Sequence, residues 1–326
     1  MRIKNNPKIF YLACGLIADG DRRYDRDDAE TVTLAYKIQK TAVDANILRW
    51  FNLAKTGQIE TNPYWPRGRN MLTATLFMED GVELDIDKLI EFLESINIKD
   101  PIGKDEFREW IGRLPEILVY AEGVFRGFWK EYCEIIFSRT NIWMPKIEAS
   151  RKPLNDFFGR GNAPNLVLVP NLFASPFASD FVKTEGNTIT MIACKPDVEG
   201  ILREVLHDEI SKHRGKIAPF GSEYGFAAFA NADKMMELGY VHSIDTDNSH
   251  DDEIELDYIY HVIEECFVRA LSVILAVGGE GRMQSHINNG FIGVPFITKY
   301  FEKHRPRAEN LEDFIGIVLE GAAHPK

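Results

Sequence analysis

The succession of apolar and polar positions divides the chain into three stretches. From Asp28 to Lys55, DAETVTLAYKIQKTAVDANILRWFNLAK, apolar side chains return at three- and four-residue steps with no proline or glycine, which predicts helix. Leu84 to Ile96 and Phe107 to Ser138 carry the same period. The latter includes RLPEILVYAEGVFRGFWKEYCEIIF, and an aromatic stripe at helical spacing marks a core face. The pattern changes near Asn155. NAPNLVLVPNLFASP, from Asn162, closes a Val/Leu run with Pro170 and turn residues. GNTITMIACKPD alternates Thr188 and Thr190 with Ile189 and Met191. Both predict strands, the second with one wetter face. Helical spacing resumes over Val198 to Lys212, with Asp197 as N-cap, Glu199 in the first turn and Gly215 as terminator. A polar loop from His242 to Glu253, HSIDTDNSHDDE, precedes a helix from Ile254 to Val277, and FIGVPFITKYFEKHR and LEDFIGIVLEGAA predict two more. Helices, then strands, then helices describe an α+β fold rather than alternating βαβ units. The expected division is a helical region, 1–150, and a mixed C-terminal domain, 151–326.

Composition narrows the partners. With 326 residues, 45% hydrophobic and 27% charged, the chain is expected to be a soluble folded protein with a real core. A formal charge of −12 opposes nucleic acid and anionic membrane as partners, since both favour a basic footprint. PYWPRGRN, Pro63 to Asn70, has two arginines beside a Tyr and a Trp and is read as a surface turn. Cys14, Cys133, Cys194 and Cys266 are widely separated in apolar contexts, so buried free thiols are expected. The apolar run in MRIKNNPKIFYLACGLIADGD lacks a small-residue cleavage pattern and is too short to span a bilayer. The expected location is cytoplasmic.

The candidate chemistry lies in ILREVLHDEISKHRGK, Ile201 to Lys216. Helical zinc sites place two histidines four apart, so that both imidazoles leave one face, with a glutamate after the first as general base. On that template His207 is the first metal ligand and Asp208 occupies the position of the base, one methylene short. Ser211 stands where the second histidine would be, and a neutral hydroxyl is a poor zinc ligand. His213, six residues on, points about 240° round a regular helix; a local bulge or an early helix end near Gly215 would be needed to return it as a ligand. Glu209 is the second candidate base.

Order along the chain adds to this. Strand, turn, strand and helix are followed about fifty residues later by IEECFVRAL, Ile263 to Leu271. With the helical RLPEILVYAEGVFRGFWKEY stretch before these elements and GFIGVPFITKYFEKHR after them, the chain resembles a zincin-like domain family of unknown function. Its members carry HExxH followed by a helix of E-aromatic-hydrophobic-R-A type. The resemblance implies a zincin-like C-terminal half, a zinc ion as cofactor, and Glu265 as third ligand. Glu264 is then solvated or paired with a basic residue. Two expectations follow. One is a zinc-dependent peptidase using His207 and Glu265, with Asp208 or Glu209 as base. The other is a degenerate relative that binds a peptide or protein, and Ser211 tips the reading toward it.

Three other patterns are read structurally. Glu204 to His207 is an ExxH unit, but its only partner, His261 to Glu264, runs in reverse, unlike a carboxylate-bridged di-iron bundle. HSIDTDNSHDDE lacks the glycine and ligand spacing of an EF-hand. VGGEGRM, Val277 to Met283, does not link a strand to a helix as a phosphate loop would, and is read as a loop that ends a helix.

Overall fold

The computed structural model describes residues 2–22, 24–56, 67–78, 83–95, 104–158, 164–174, 179–195, 198–220, 223–237, 251–275, 280–304 and 310–324. The chain is mostly helical with one small sheet, an α+β protein. It forms two compact units. The first contains residues 1–149 and 162–200, the second residues 150–161 and 201–326. The division expected at residue 150 therefore shifts. The strands belong with the N-terminal helices, because their side chains help to form that unit's core.

In the first unit, β1 (Arg2–Ile3) leads into α1 (Pro7–Ala18). Asn6 caps α1, its side chain accepting from the amides of Lys8 and Ile9, and Pro7 starts the helix with φ already set. Every residue from Ile9 to Ile17 is buried, so the apolar N-terminal run is a core helix. It packs against α2 (Ala29–Gln39), α3 (Ala45–Thr56), α4 (Arg67–Ala74) and α7 (Leu114–Phe125). A Cβ on Gly15 would stand 2.0 Å from the Phe51 ring, so the close approach of α1 and α3 needs glycine there.

The single helix expected over Asp28 to Lys55 is two. Residues 40–44 break it, and Asp44 starts α3, accepting from the amide of Asn46 at 2.8 Å. A short polar side chain that bonds its own backbone outcompetes helix continuation at that point. Arg67 to Asn70 open α4, in place of the surface turn expected over 63–70; residues 63–66 lie outside the described residues. The unit continues with α5 (Ile86–Ser95), α6 (Lys104–Gly112) and α8 (Trp129–Phe158), whose last turns belong to the second unit.

The sheet combines β1, β2 (Asn165–Pro170), β3 (Ser179–Glu185) and β4 (Thr188–Ala193) in the order β1-β2-β4-β3. The pairs β1–β2 and β2–β4 are parallel, and β3 returns antiparallel to β4. Five consecutive residues of β2 are buried, as in a strand covered on both faces. Val167, Val169 and Ile192 join a core with Trp50, Phe51, Phe107 and Trp110 from the helices.

The second unit is helical. It holds α9 (Val198–Ser211) from Ile201 onward, α10 (Arg214–Ile217), α11 (Glu223–Phe229), α12 (Ala232–Glu237), α13 (Asp251–Leu275), α14 (Glu280–Asn288), α15 (Val294–His304) and α16 (Leu311–Ala323). The two helices expected in the tail are α15 and α16. Helix α13 is the centre, packed by α10, α11, α14 and α15. Phe267, Leu271 and Ile263 from α13 meet Phe229, Phe291, Val294 and Phe314. The polar loop at 242–250 and residues 276–279 of the glycine loop lie outside the described residues; Glu280 already begins α14. All four cysteines are free thiols; Cys14, Cys194 and Cys266 are buried, and burial pushes Cys194 up to about 12. No helix among the described residues is long and apolar enough to cross a membrane.

Candidate functional site: an imidazole between two carboxylates

Helix α9 buries Leu202, Val205, Leu206 and Ile210, leaving Arg203, Glu204, His207, Asp208 and Ser211 on its partly open side. It stops at Ser211, before the expected Gly215. The amides of Lys212 and His213 donate to the carbonyls of Glu209 and Ile210, tightening the last turn to three-residue bonds. Gly215 sits inside α10 instead. Residue 197, expected as the N-cap, lies outside the described residues.

The structure brings His207 and Glu265 together, with Nε2 and Oε1 3.1 Å apart. It also brings in Glu264, whose Oε1 is 3.1 Å from Nδ1 on the other side of the ring. Adjacent helix positions diverge by about 100°, and the two imidazole nitrogens diverge in turn. One ring on α9 can therefore meet two consecutive glutamates on α13. Glu264 is 5% exposed and also lies 3.6 Å from His261 Nδ1; it is buried and paired, not solvated.

An ionised carboxylate only accepts. A neutral ring would turn a lone pair on one of them, so the arrangement favours a proton on each nitrogen. Burial pulls the His207 pKa down, but the Glu265 charge and the Glu264 hydrogen bond outweigh it and lift it to about 10. Burial likewise pushes Glu264 up, and its bonds to His207 and His261 overcome that and hold it at about 2. The same opposition leaves Glu265 well below the usual carboxylate range, through the charges of His207, Arg269 and Arg203. Arg269 Nε reaches Glu265 Oε2 at 2.7 Å, and Arg203 Nη2 lies 3.6 Å from the same oxygen. Arg269 also contacts His286 Nδ1 at 3.2 Å and lies over the Phe291 ring.

The other expected site residues do not join this cluster. Asp208 and Glu209 both face Lys212, at 3.2 and 2.8 Å, one turn along the helix where such pairs form. The Ser211 hydroxyl donates to the Asp208 carbonyl at 2.9 Å. His213 caps α10 as backbone, its carbonyl accepting from Lys216 and Ile217, and its buried Nε2 has no hydrogen-bond partner among the described residues. The early end of α9 does not return it to His207.

A catalytic zinc takes three protein ligands. His207 Nε2 and Glu265 Oε1 are spaced as two atoms about 2.0–2.1 Å from one zinc could be, but no third donor accompanies them. Among the described residues no group of three His, Cys, Asp or Glu could hold an ion. The residues present do not fit the zinc that the sequence resemblance implies.

Arg203, Arg269 and His286 were not assigned to the site from the sequence, and Glu264 was expected only to be solvated or paired with a basic residue. Two of them had a local signal: Arg203 precedes His207 by four residues and Arg269 follows Glu265 by four, the helical spacing that joins charges. His286 had none, since its place beside Arg269 depends on the packing of α14. No protein-family model, curated protein or solved structure matches the chain.

Proposed function

We propose that the chain is a degenerate zincin-like protein that binds a peptide or protein in the cytoplasm and does not hydrolyse it. The observation that carries this reading is His207 held between Glu264 and Glu265. The resemblance expects His207 and Glu265 to converge, and they do, but around a proton. Ser211 is turned to its own helix, and the two candidate bases are shared by one lysine. A hydrolase of this type needs a metal-bound water and a free carboxylate beside it. Among the described residues the site supplies neither a third ligand nor an unpaired base.

One fact favours the alternative, a zinc-dependent peptidase: the 3.1 Å between Nε2 and Oε1 suits a shared ion. Elemental analysis of the protein purified after growth with added zinc separates the two. The degenerate reading expects no stoichiometric zinc and no cleavage of a mixed peptide library. One zinc per chain, lost in His207→Ala or Glu265→Ala, establishes the peptidase reading instead.

A further inference from the structure

Positions 203, 207 and 211 are four apart on α9, so they form one stripe, each turned about 40° from the last. His207 is its middle. Ser211, one turn later, faces the backbone. Arg203, one turn earlier, reaches across to Glu265 Oε2 at 3.6 Å, the oxygen already held by Arg269. The shielded Nε of Arg203 has no hydrogen-bond partner among the described residues. Its main contribution to this cluster is therefore positive charge, placed about a quarter exposed at the open side.

Two carboxylates, Glu264 and Glu265, thus face three cationic groups, His207, Arg203 and Arg269. A divalent ion at Nε2 and Oε1 must displace the His207 proton, because metal ligands bind deprotonated. It must also lie near two guanidiniums that cannot lose their charge. Repulsion between a dication and those groups is strong where water is partly excluded. Arg269 is fixed in the interior by His286 and Phe291. Among the described residues Arg203 has no such hold.

We infer that Arg203 is the specificity-determining residue of this site, the charge that keeps a divalent cation from the His207 Nε2 and Glu265 Oε1 pair. A second imidazole at position 211 is then insufficient to bring metal in while Arg203 remains. This rests on the degenerate reading above.

The test is zinc affinity of the full chain, measured by competition with a chromophoric chelator. Ser211→His alone is expected to gain little. Ser211→His with Arg203→Gln is expected to bind about 10–100-fold more tightly than Ser211→His, the range typical of changes beside metal ligands. Ser211→His with Arg203→Lys, which keeps the charge, stays near Ser211→His. Arg203→Met replaces Arg203→Gln if the latter does not fold, judged by circular dichroism. Equal affinity of the single and double variants overturns the inference. So does a lysine variant that matches the glutamine one, or a double variant no tighter than the unaltered chain. Failure of the underlying reading looks different: the unaltered protein itself holds zinc that His207→Ala releases.

Discussion

Two of the shielded histidines of the second unit, His207 and His286, have opposite chemistry. His207 meets carboxylates at both ring nitrogens, so both donate and the ring is a cation. His286, 6% exposed, meets Arg269 Nη1 at Nδ1. A guanidinium has donors only, so Nδ1 accepts. Arg269 connects the two environments, with Nε on Glu265 and Nη1 on His286. Its fixed charge holds Glu265 ionised on one side, and its donor meets an accepting ring nitrogen on the other. The lesson is that partners on neighbouring helices, not the residue type or its depth, decide what a histidine does here.

The strongest way to break this comparison is to remove each ring. His207→Ala leaves Glu264 and Glu265 facing one another without the cation between them. Removing one partner of a buried ion pair costs about 3–5 kcal/mol, and the partial exposure of His207 places the expected loss at the lower end. His286→Ala strands a donor of Arg269, for which about 1–3 kcal/mol is typical. Urea unfolding monitored by circular dichroism measures both. A His286 variant as damaging as the His207 variant removes the distinction.

How far this was legible in the sequence follows from the same geometry. Apolar spacing located α5, α9, α13, α15, α16 and the strands β2 and β4, because each has a face that must be buried. The break at residues 40–44 was missed because Asp44 acts through its own backbone, which hydrophobic period does not register. The sheet's membership was missed because Val167 and Val169 show that they are buried, but not against which helices. The convergence of His207 with Glu265 was legible through motif order. The role of Glu264 was legible only as one of two alternatives, solvated or paired with a basic residue: its neighbour matched the template, and the basic partner was not identified. Only the position of the α9 ring relative to α13 shows that consecutive residues share it.

Acidity sharpens the comparison next. His207 is raised from 6.5 to about 10, so its contribution to stability is complete below pH 6.5 and is lost as pH rises through about 10. Glu264 is lowered from 4.5 to about 2, so its contribution is complete above pH 4.5 and is lost as pH falls through about 2. Both describe one interaction, which is fully present between 4.5 and 6.5. The thermal midpoint of the unaltered chain should therefore fall relative to His207→Gln between pH 6.5 and 10. Parallel curves would show that the ring carries no extra proton. Ring nitrogen NMR at neutral pH supplies the direct contrast, with both nitrogens of His207 protonated and only Nε2 of His286.

The smallest effect is expected one residue from the cluster. Asp208 and Glu209 follow His207 directly, yet Lys212 lies 3.2 and 2.8 Å from them and is more than half exposed. Such pairs are screened by solvent and contribute about 0–1 kcal/mol. Asp208→Asn and Glu209→Gln should each change the unfolding free energy by about 0.5 kcal/mol or less, with the difference shrinking in high salt. The pH dependence between 6.5 and 10 should remain that of the unaltered chain, because neither carboxylate neutralises His207. If Asp208→Asn instead lowers the His207 pKa measured by NMR, the charge cluster extends onto α9 itself. Asp208 would then share the cation that the structure assigns to Glu264 and Glu265, and the base position of the zinc template would have become a third acid on the ring.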